Sequence, residues 1–153
     1  MLIQVDTREK PSQTERIFEH FDNQGVQYLI KKLDVGDYMS FSNVKCAIDR
    51  KQSVGEYAVN MGADHRRFKN EMLRAKENGI KLIFLIEDDK IKSIEDVKKW
   101  WNPNSLFHQK CMTGEMLYKG MNTQMKRYGV EFHFCNKEET GYKIVDLLRK
   151  NGG

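Results

Sequence analysis

The chain has 153 residues, 39% of them hydrophobic and 31% charged, which is enough apolar material for a folded core and excludes an intrinsically disordered chain. Its 26 Lys and Arg outnumber its 22 Asp and Glu, giving a net charge of +4 that permits a nucleic-acid partner without requiring one. The longest apolar run, Leu82 to Ile86, is too short to cross a bilayer, and no signal-peptide core precedes Asp6. We therefore expect one cytoplasmic domain over residues 1–153, with no membrane association.

The cysteines favour the same setting. They are odd in number and widely separated, and none belongs to a CxxC pair, which argues against a disulfide framework and against a zinc knuckle. The three residues are Cys46, Cys111 and Cys135.

Apolar periodicity in the first half of the chain predicts alternating strands and helices. The predicted elements are a strand at Leu2–Asp6, a helix that begins at 11–15 and ends at Gly25, strands at Tyr28–Leu33, Tyr38–Phe41 and Val44–Lys51, and helices at Ser53–Met61 and Asp64–Asn78. Ser12 and Glu15 have the spacing of a capping box at the start of the first helix. Ser42 and Asn43 are the predicted turn between the third and fourth strands.

The second half begins with a near-continuous apolar run, as expected for a strand that is covered on both faces. The predicted elements are a strand at Ile80–Ile86, helices at Ser93–Trp101 and Thr113–Tyr128, a strand through Val130, Phe132 and Phe134, and a last helix capped by Asn136 with Glu139. The alternation predicts an α/β fold in which helices flank a central mixed β-sheet.

The predicted strand Val44–Lys51 contains candidate catalytic and metal-binding residues. Its period of two places Asp49 and Lys51 on one face, which we interpret as the face away from the core. Asp37 follows Gly36 at the start of the partner strand, so the hairpin brings a second carboxylate near Asp49. Two carboxylates suit Mg²⁺, and a lysine could position or help deprotonate an attacking water. The alternative is a solvated strand face with an ion pair, because an acid and a lysine at this spacing arise readily in a chain this charged.

Three short motifs lie in order along the first half: Val5-Asp6-Thr7-Arg8-Glu9, Gly36-Asp37-Tyr38 and Asp49-Arg50-Lys51. Together they resemble the VDxRE, GDY and (E/D)RK signature of the XPF-type structure-specific endonucleases and their archaeal relatives. The similarity continues through 64–68, the strand at 82–87 and residues 127–130. This resemblance implies a restriction-endonuclease-like core, DNA as the partner and Mg²⁺ as the cofactor, with Mn²⁺ able to replace it.

The resemblance also implies roles for the residues that match. Asp37 and Asp49 would bind the metal with the backbone carbonyl of Arg50, and Lys51 would be the catalytic lysine. Asp6 and Glu9 would line the same site, as metal ligands or as acids that orient water. A structural ion pair is an equal alternative for Arg50, which falls on the opposite strand face. The basic residues that would contact DNA are Arg8, Arg50, Arg66, Arg67 and Lys69.

The chain departs from the family pattern at two positions. The family usually has Glu where Asp49 stands, and it has an acid four residues after the lysine, where this chain has Gly55. Glu56 comes next and either replaces that acid or is an exposed helix glutamate. Family members generally add a tandem helix-hairpin-helix domain, and some add a helicase. Neither is present in the sequence, so we expect a nuclease domain alone, with weak and salt-sensitive DNA binding.

Two apolar features have both a structural and a functional interpretation. Trp100 and Trp101 either anchor a loop in the core or stack on unpaired bases. A series of four methionines lies on the predicted helix at 113–128 or just before it: Met112, Met116, Met121 and Met125. These methionines either pack in the core or form a dimer surface. Because the family often pairs nuclease domains through C-terminal helices, we expect a homodimer.

These residues lead to two hypotheses. The first is a Mg²⁺-dependent DNA endonuclease that hydrolyses phosphodiester bonds at branched, flap or fork junctions. The second is a catalytically silent DNA-binding or partner-docking module with the same fold. The sequence retains each acid and the lysine needed for the first.

Overall fold

The computed structural model describes residues 1–153. A mixed six-stranded sheet lies at the centre of the fold. The strands are β1 Leu2–Val5, β2 Gln27–Ile30, β3 Tyr38–Ser40, β4 Asn43–Lys51, β5 Lys81–Glu87 and β6 Glu131–Cys135. Their spatial order is β2-β1-β3-β4-β5-β6. The pairs β1–β2, β4–β5 and β5–β6 are parallel, whereas β3 runs antiparallel to both β1 and β4. The longest strand, β4, is therefore internal to the sheet.

Helices cover both faces of this sheet, which confirms the predicted α/β architecture. They are α1 Pro11–Asn23, α2 Val54–Met61, α3 His65–Glu77, α4 Gly114–Tyr128 and α5 Thr140–Lys150. Helices α1 and α5 bury their apolar sides with Ile48 and Leu85 in one core, while α2, α3 and α4 do so with Ala47 and Phe84 in a second core. None of the helices is both long and apolar enough to span a membrane.

The two cores correct one expectation about β4. Alternate side chains of the strand enter different cores, because Ile48 and Ala47 point to opposite faces of the sheet. Asp49 and Lys51 share the face of Ala47, and α2 and α3 cover it. Their relative exposures are only 5% and 8%, so the prediction that they lie on a face away from the core is wrong.

Helix starts follow the predicted caps in some places and not in others. Ser53 caps α2, since its Oγ accepts the Glu56 amide at 3.0 Å. The predicted capping box of α1 is wrong: Lys10 is the N-cap residue without a side-chain bond, and Pro11 opens the helix. Proline suits this position because the first helical N–H has no partner in any case. The last helix has no side-chain cap either, since a 3₁₀ turn at Lys137–Glu139 leads into α5.

Two further boundaries differ from the prediction. Ser40 pairs with Asn43 across a bulge, so the hairpin turn consists of Phe41 and Ser42 instead of the predicted pair. The segment predicted as a helix at 93–101 contains a 3₁₀ turn at Glu95–Lys99, and a second follows at Pro103–Leu106. A helix of so few residues is marginal in isolation, and the nearby proline prevents its extension.

Candidate active site

The hairpin of β3 and β4 brings the two predicted carboxylates together. Asp37 precedes β3 and its amide donates to the Ile48 carbonyl at 2.7 Å, which extends the ladder by one residue. In return, the Arg50 amide donates to Asp37 Oδ2 at 2.8 Å. Asp37 is therefore held beside the end of β4 where Asp49 and Lys51 lie.

Gly36 makes this approach possible. Its φ is +71°, a conformation that favours glycine, and a Cβ there would lie 3.0 Å from both the Ala47 Cβ and the Ile48 carbonyl oxygen. A larger residue would push the loop away from β4. The glycine of the second motif thus sets the position of the aspartate that follows it.

Lys51 supplies positive charge to this pair of acids. Its Nζ lies 2.9 Å from Asp49 Oδ1 and 5.5 Å from the centre of the Phe68 ring. Asp49 Oδ1 is buried, and the Lys51 ammonium is its ion-pair partner. Burial lowers the pKa of Lys51, but the charges of Asp49 and Asp37 outweigh it and the pKa is raised. For Asp37, burial and then the negative charges of Asp49 and Glu9 hold the pKa well above its usual value.

Asp6 is fully buried, and both of its oxygens are already used. Oδ1 accepts the Leu33 amide at 2.7 Å, and Oδ2 accepts the Arg8 amide at 3.0 Å and its Nε at 2.5 Å. These bonds outweigh burial and lower the pKa of Asp6. The geometry favours an Asp6 that orients Arg8 and the loop near Leu33; direct metal binding by Asp6 remains a prediction.

Arg50 lies on the other side of β4 and joins two acids. Its Nε donates to Glu9 at 3.0 Å and its Nη1 donates to Glu87 at 2.9 Å, with the guanidinium almost completely buried. Tyr38 donates a further bond to Glu9 at 2.5 Å. A guanidinium so enclosed favours the ion-pair interpretation of Arg50 over phosphate contact. Both Glu9 and Arg50 nevertheless line part of the cleft wall.

Glu9, Asp37, Asp49 and Lys51 line one polar cleft of about 150 Å³, in which Phe68 is the single hydrophobic residue, whereas the buried Asp6 does not line it. A model of the family described as the ERCC4 domain matches residues 5–147 of the chain. The chain belongs to this family. The matched range includes each residue that lines the cleft.

Solved structures support the same fold. The chain is similar to XPF from Aeropyrum pernix, with 23% identity and a TM-score of 0.69 over 99% of this chain and 65% of that one. It is also similar to a structure of XPF from Aeropyrum pernix in complex with DNA, with 22% identity and a TM-score of 0.67 over 98% of this chain and 64% of that chain. The chain thus spans just under two thirds of the length of these relatives. A search of curated proteins finds no match.

The predicted DNA-binding residues surround the ERCC4 cleft unevenly. Arg8, Arg50 and Arg67 line it; the Arg8 side chain is largely exposed, whereas that of Arg50 is buried. Arg66 and Lys69 are exposed on α3 but do not line the cleft. The structure thus places Arg8, Arg50 and Arg67 in the same cleft as Asp37 and leaves Arg66 and Lys69 on the exposed surface of α3.

Glu71 lines the cleft and was missed by the sequence interpretation. It lies on α3, and burial followed by the charge of Asp49 raises its pKa to about 8. The helical spacing from Arg67 and Phe68 places it on the same side of α3, a signal that was available in the sequence. Glu56 also lines the cleft, but its Oε2 accepts the Gln52 amide at 2.8 Å.

The tryptophans and methionines, for which the sequence left a core and a surface interpretation open, lie partly in the core and partly on the surface. Trp100 packs against the core, whereas Trp101 is 59% exposed and Phe107 is 80% exposed. Among the methionines, Met121 is completely buried and Met116 is largely exposed. The core interpretation is therefore right for Trp100 and Met121, whereas Trp101 and Phe107 are largely exposed.

Proposed function

We propose that this ERCC4 domain is a metal-dependent DNA endonuclease that hydrolyses phosphodiester bonds. The observation that carries the proposal is the meeting of Asp37, Asp49 and Lys51 in one polar cleft, with Lys51 Nζ 2.9 Å from Asp49 Oδ1. The buried carboxylates of Asp37 and Asp49 repel each other, and a bound divalent cation would offset that repulsion.

The chemistry of the cleft suits Mg²⁺ or Mn²⁺. Its acidic and amide side chains offer oxygen ligands, and neither histidine nor cysteine lines it. No group of three or more His, Cys, Asp and Glu side chains is arranged as a complete metal site. Mg²⁺ usually keeps several waters and takes one or two carboxylates, so Asp37 and Asp49 suffice, with the Arg50 carbonyl as a further oxygen. When bound, the ion would offset negative charge on the phosphate.

Lys51 and Arg8 would act on the phosphate and the attacking water. The raised pKa keeps the Lys51 ammonium protonated at neutral pH, so it suits donation to a phosphate oxygen better than acceptance of a proton. Arg8, exposed and oriented by Asp6, would hold a neighbouring phosphate. Glu9 and Asp37 remain as the carboxylates on the cleft wall that can orient water.

We also propose that the substrate contains unpaired nucleotides, as branched, flap or fork DNA does. Exposed Trp101 and Phe107 lie in a segment that holds three lysines and a histidine and has no acid between Asp96 and Glu115. Aromatic rings beside cationic groups stack on unpaired bases while the cations contact phosphates. Trp100 packs 3.8 Å from the Cβ position of Gly55, which places this segment against the start of α2, four residues beyond Lys51.

End-labelled forks, 3′ flaps, four-way junctions and linear duplex, each incubated with Mg²⁺, Mn²⁺ or EDTA, test the proposal. We expect metal-dependent cutting that Asp49→Asn and Lys51→Ala abolish, while Asp146→Asn, a change on the exposed face of α5, retains it. Folding of each variant is checked by circular dichroism. Full activity in both site variants would contradict the proposal.

Two outcomes would redirect the assignment. A folded protein that binds neither Mn²⁺ nor Mg²⁺ and cuts no substrate would be the silent DNA-binding or docking module. Equal cutting of linear duplex and branched DNA, unchanged by Trp101→Ala with Phe107→Ala, would remove the junction preference while keeping the nuclease.

A homodimer through the C-terminal helices is a further proposal. Most apolar residues of α5 are used within the chain, so the support comes from exposed Met116 on α4 and exposed Tyr142 on α5. Sedimentation velocity over a concentration series tests it. A dimer that Met116→Lys disrupts would support this surface, and a monomer throughout would contradict it.

A further inference from the structure

A second groove, which we call the α2 groove, lies on the other side of α2 from the catalytic cleft. The helix has eight residues, and its two sides line different spaces. Glu56 and Asn60, one turn apart, line the cleft, whereas Gly55 and Val59, also one turn apart, line the groove. A helix with its side chains is roughly 10 Å across, so about this distance separates the groove from the cleft.

The α2 groove has the size and lining of a ligand pocket. Its volume is about 600 Å³, within the range of roughly 300–1,000 Å³ that such pockets occupy. Seven of its thirteen lining residues are hydrophobic, and none is an acid. Val59 and Met116 line it and are 49% and 56% exposed, although both are apolar. Asn104 and Lys110 add exposed polar side chains to the same groove.

Packing contacts hold both walls of the α2 groove in place. On one wall, Ala58 is buried in the core that α2, α3 and α4 share. On the other wall, Asn102 Nδ2 donates to the Met112 carbonyl at 2.9 Å and closes the loop between these two residues. Gly114 lets the start of α4 approach this wall, because a Cβ there would lie 2.8 Å from the Trp100 carbonyl oxygen. The groove is therefore largely preformed, as ligand pockets usually are.

The charges around the α2 groove favour a polyanion that carries apolar rings. The segment between Asp96 and Glu115 contains three lysines and no acid, and Lys110 lines the groove itself. The other cavity that Trp100 lines differs, because two acids there offset two lysines. A nucleic-acid strand combines phosphates with bases, and unpaired bases bind aromatic surfaces beside cations.

We infer that the α2 groove binds one unpaired base of the DNA strand whose phosphate lies in the cleft. The inference rests on the proposed function, since it names a binding site for that substrate. It differs from stacking on exposed Trp101 and Phe107, because neither ring lines the groove. A strand advances at least about 3.4 Å per nucleotide, so about three nucleotides or fewer cross α2. The bound base therefore lies within about three nucleotides of the cut.

Binding of a fluorescent DNA fork in EDTA, followed by anisotropy, tests this site without cleavage. An abasic nucleotide is moved one position at a time along the unpaired strand. We expect one position, within about three nucleotides of the cut mapped with Mg²⁺, at which the missing base weakens binding at least fivefold. Val59→Glu should weaken binding of the intact fork and bring the ratio of the two affinities, intact to abasic, close to one. Val44→Glu is the matched control, because Val44 is 55% exposed at the opposite end of β4 from Lys51 and should keep the full ratio.

Three results would refute the inference while leaving the nuclease proposal in place. An equal loss of affinity for intact and abasic forks in Val59→Glu would show charge repulsion alone. A ratio that Trp101→Ala with Phe107→Ala removes but Val59→Glu keeps would place the base on the exposed rings. An abasic scan without a sensitive position, in a protein that still cuts with metal, would leave the groove without a role in DNA binding.

Two further results concern the occupant and the proposed function. If Val59→Glu changes the oligomeric state in sedimentation velocity while the abasic ratio stays the same, the groove is a contact between copies of the chain and the inference is wrong. A folded chain that neither binds nor cuts any fork would overturn both the inference and the proposed function.

Discussion

Lys51 Nζ and Asp49 Oδ1 lie 2.9 Å apart at the C-terminal end of β4. Both residues are buried, and Asp37 and Glu71 line the same cleft. The lysine is the nearest positive charge to a group of acids that would otherwise repel one another. It thus has a structural function in addition to its proposed catalytic one.

Removal of Lys51 should destabilise the protein when no metal is present. We expect Lys51→Ala to lower the free energy of unfolding by about 3 kcal/mol at pH 7.5, because it leaves Asp49 as an unpaired buried charge. Urea unfolding in EDTA measures this. The double variant Lys51→Ala with Asp49→Asn should recover much of the loss; strictly additive effects would show that the pair is not coupled.

Arg50 is expected to matter for stability more than any other cation of the chain. Arg50→Met leaves Glu9 and Glu87 without their shared partner and should cost roughly 3–5 kcal/mol, or prevent folding. Arg16→Met is the matched control, because the Arg16 pair with Glu138 is exposed and should be worth less than about 1 kcal/mol. Equal losses in the two variants, measured by urea unfolding, would contradict the buried network.

The stability of the metal-free protein should depend on Glu71 and pH. The pKa of Glu71 is raised to about 8 from 4.5, so the folded state favours its protonated form. The resulting penalty is absent below pH 4.5, grows as the pH rises and is complete above pH 8. Glu71→Gln should therefore stabilise the protein by up to about 5 kcal/mol at pH 8.5 and hardly at all at pH 4.5. Unfolding in EDTA at both pH values checks this, and a gain that does not depend on pH would contradict it.

Thiol reactivity should distinguish the three free cysteines. Cys46 and Cys135 are buried, and burial raises the pKa of each, so little thiolate is present. Cys111 is partly exposed on the segment before α4. Ellman's reagent at pH 8 should react quickly with one thiol, which Cys111→Ser removes, and with all three after guanidinium unfolding. Two or more fast thiols in the folded protein would show that a core opens.

Several structural features of this protein could be predicted from local sequence patterns. The strands and most helices could be predicted because apolar periodicity depends on neighbours within one turn or one pleat. The shared face of Asp49 and Lys51 followed from the same period of two. Gly36 and the position of Asp37 followed from the motif, since a hairpin joins residues that are close in the chain.

Only the tertiary structure decided which charged groups are free to act. Asp6 and Asp49 look equivalent in the motifs, yet Asp6 has both oxygens occupied by Leu33 and Arg8 away from the cleft, while Asp49 lines the cleft and pairs with Lys51. Arg50 is engaged by Glu87, 37 residues further along the chain, and Glu71 enters the cleft from a separate helix. Hydrogen-bond saturation and burial depend on how distant segments pack, and no local pattern encodes that packing.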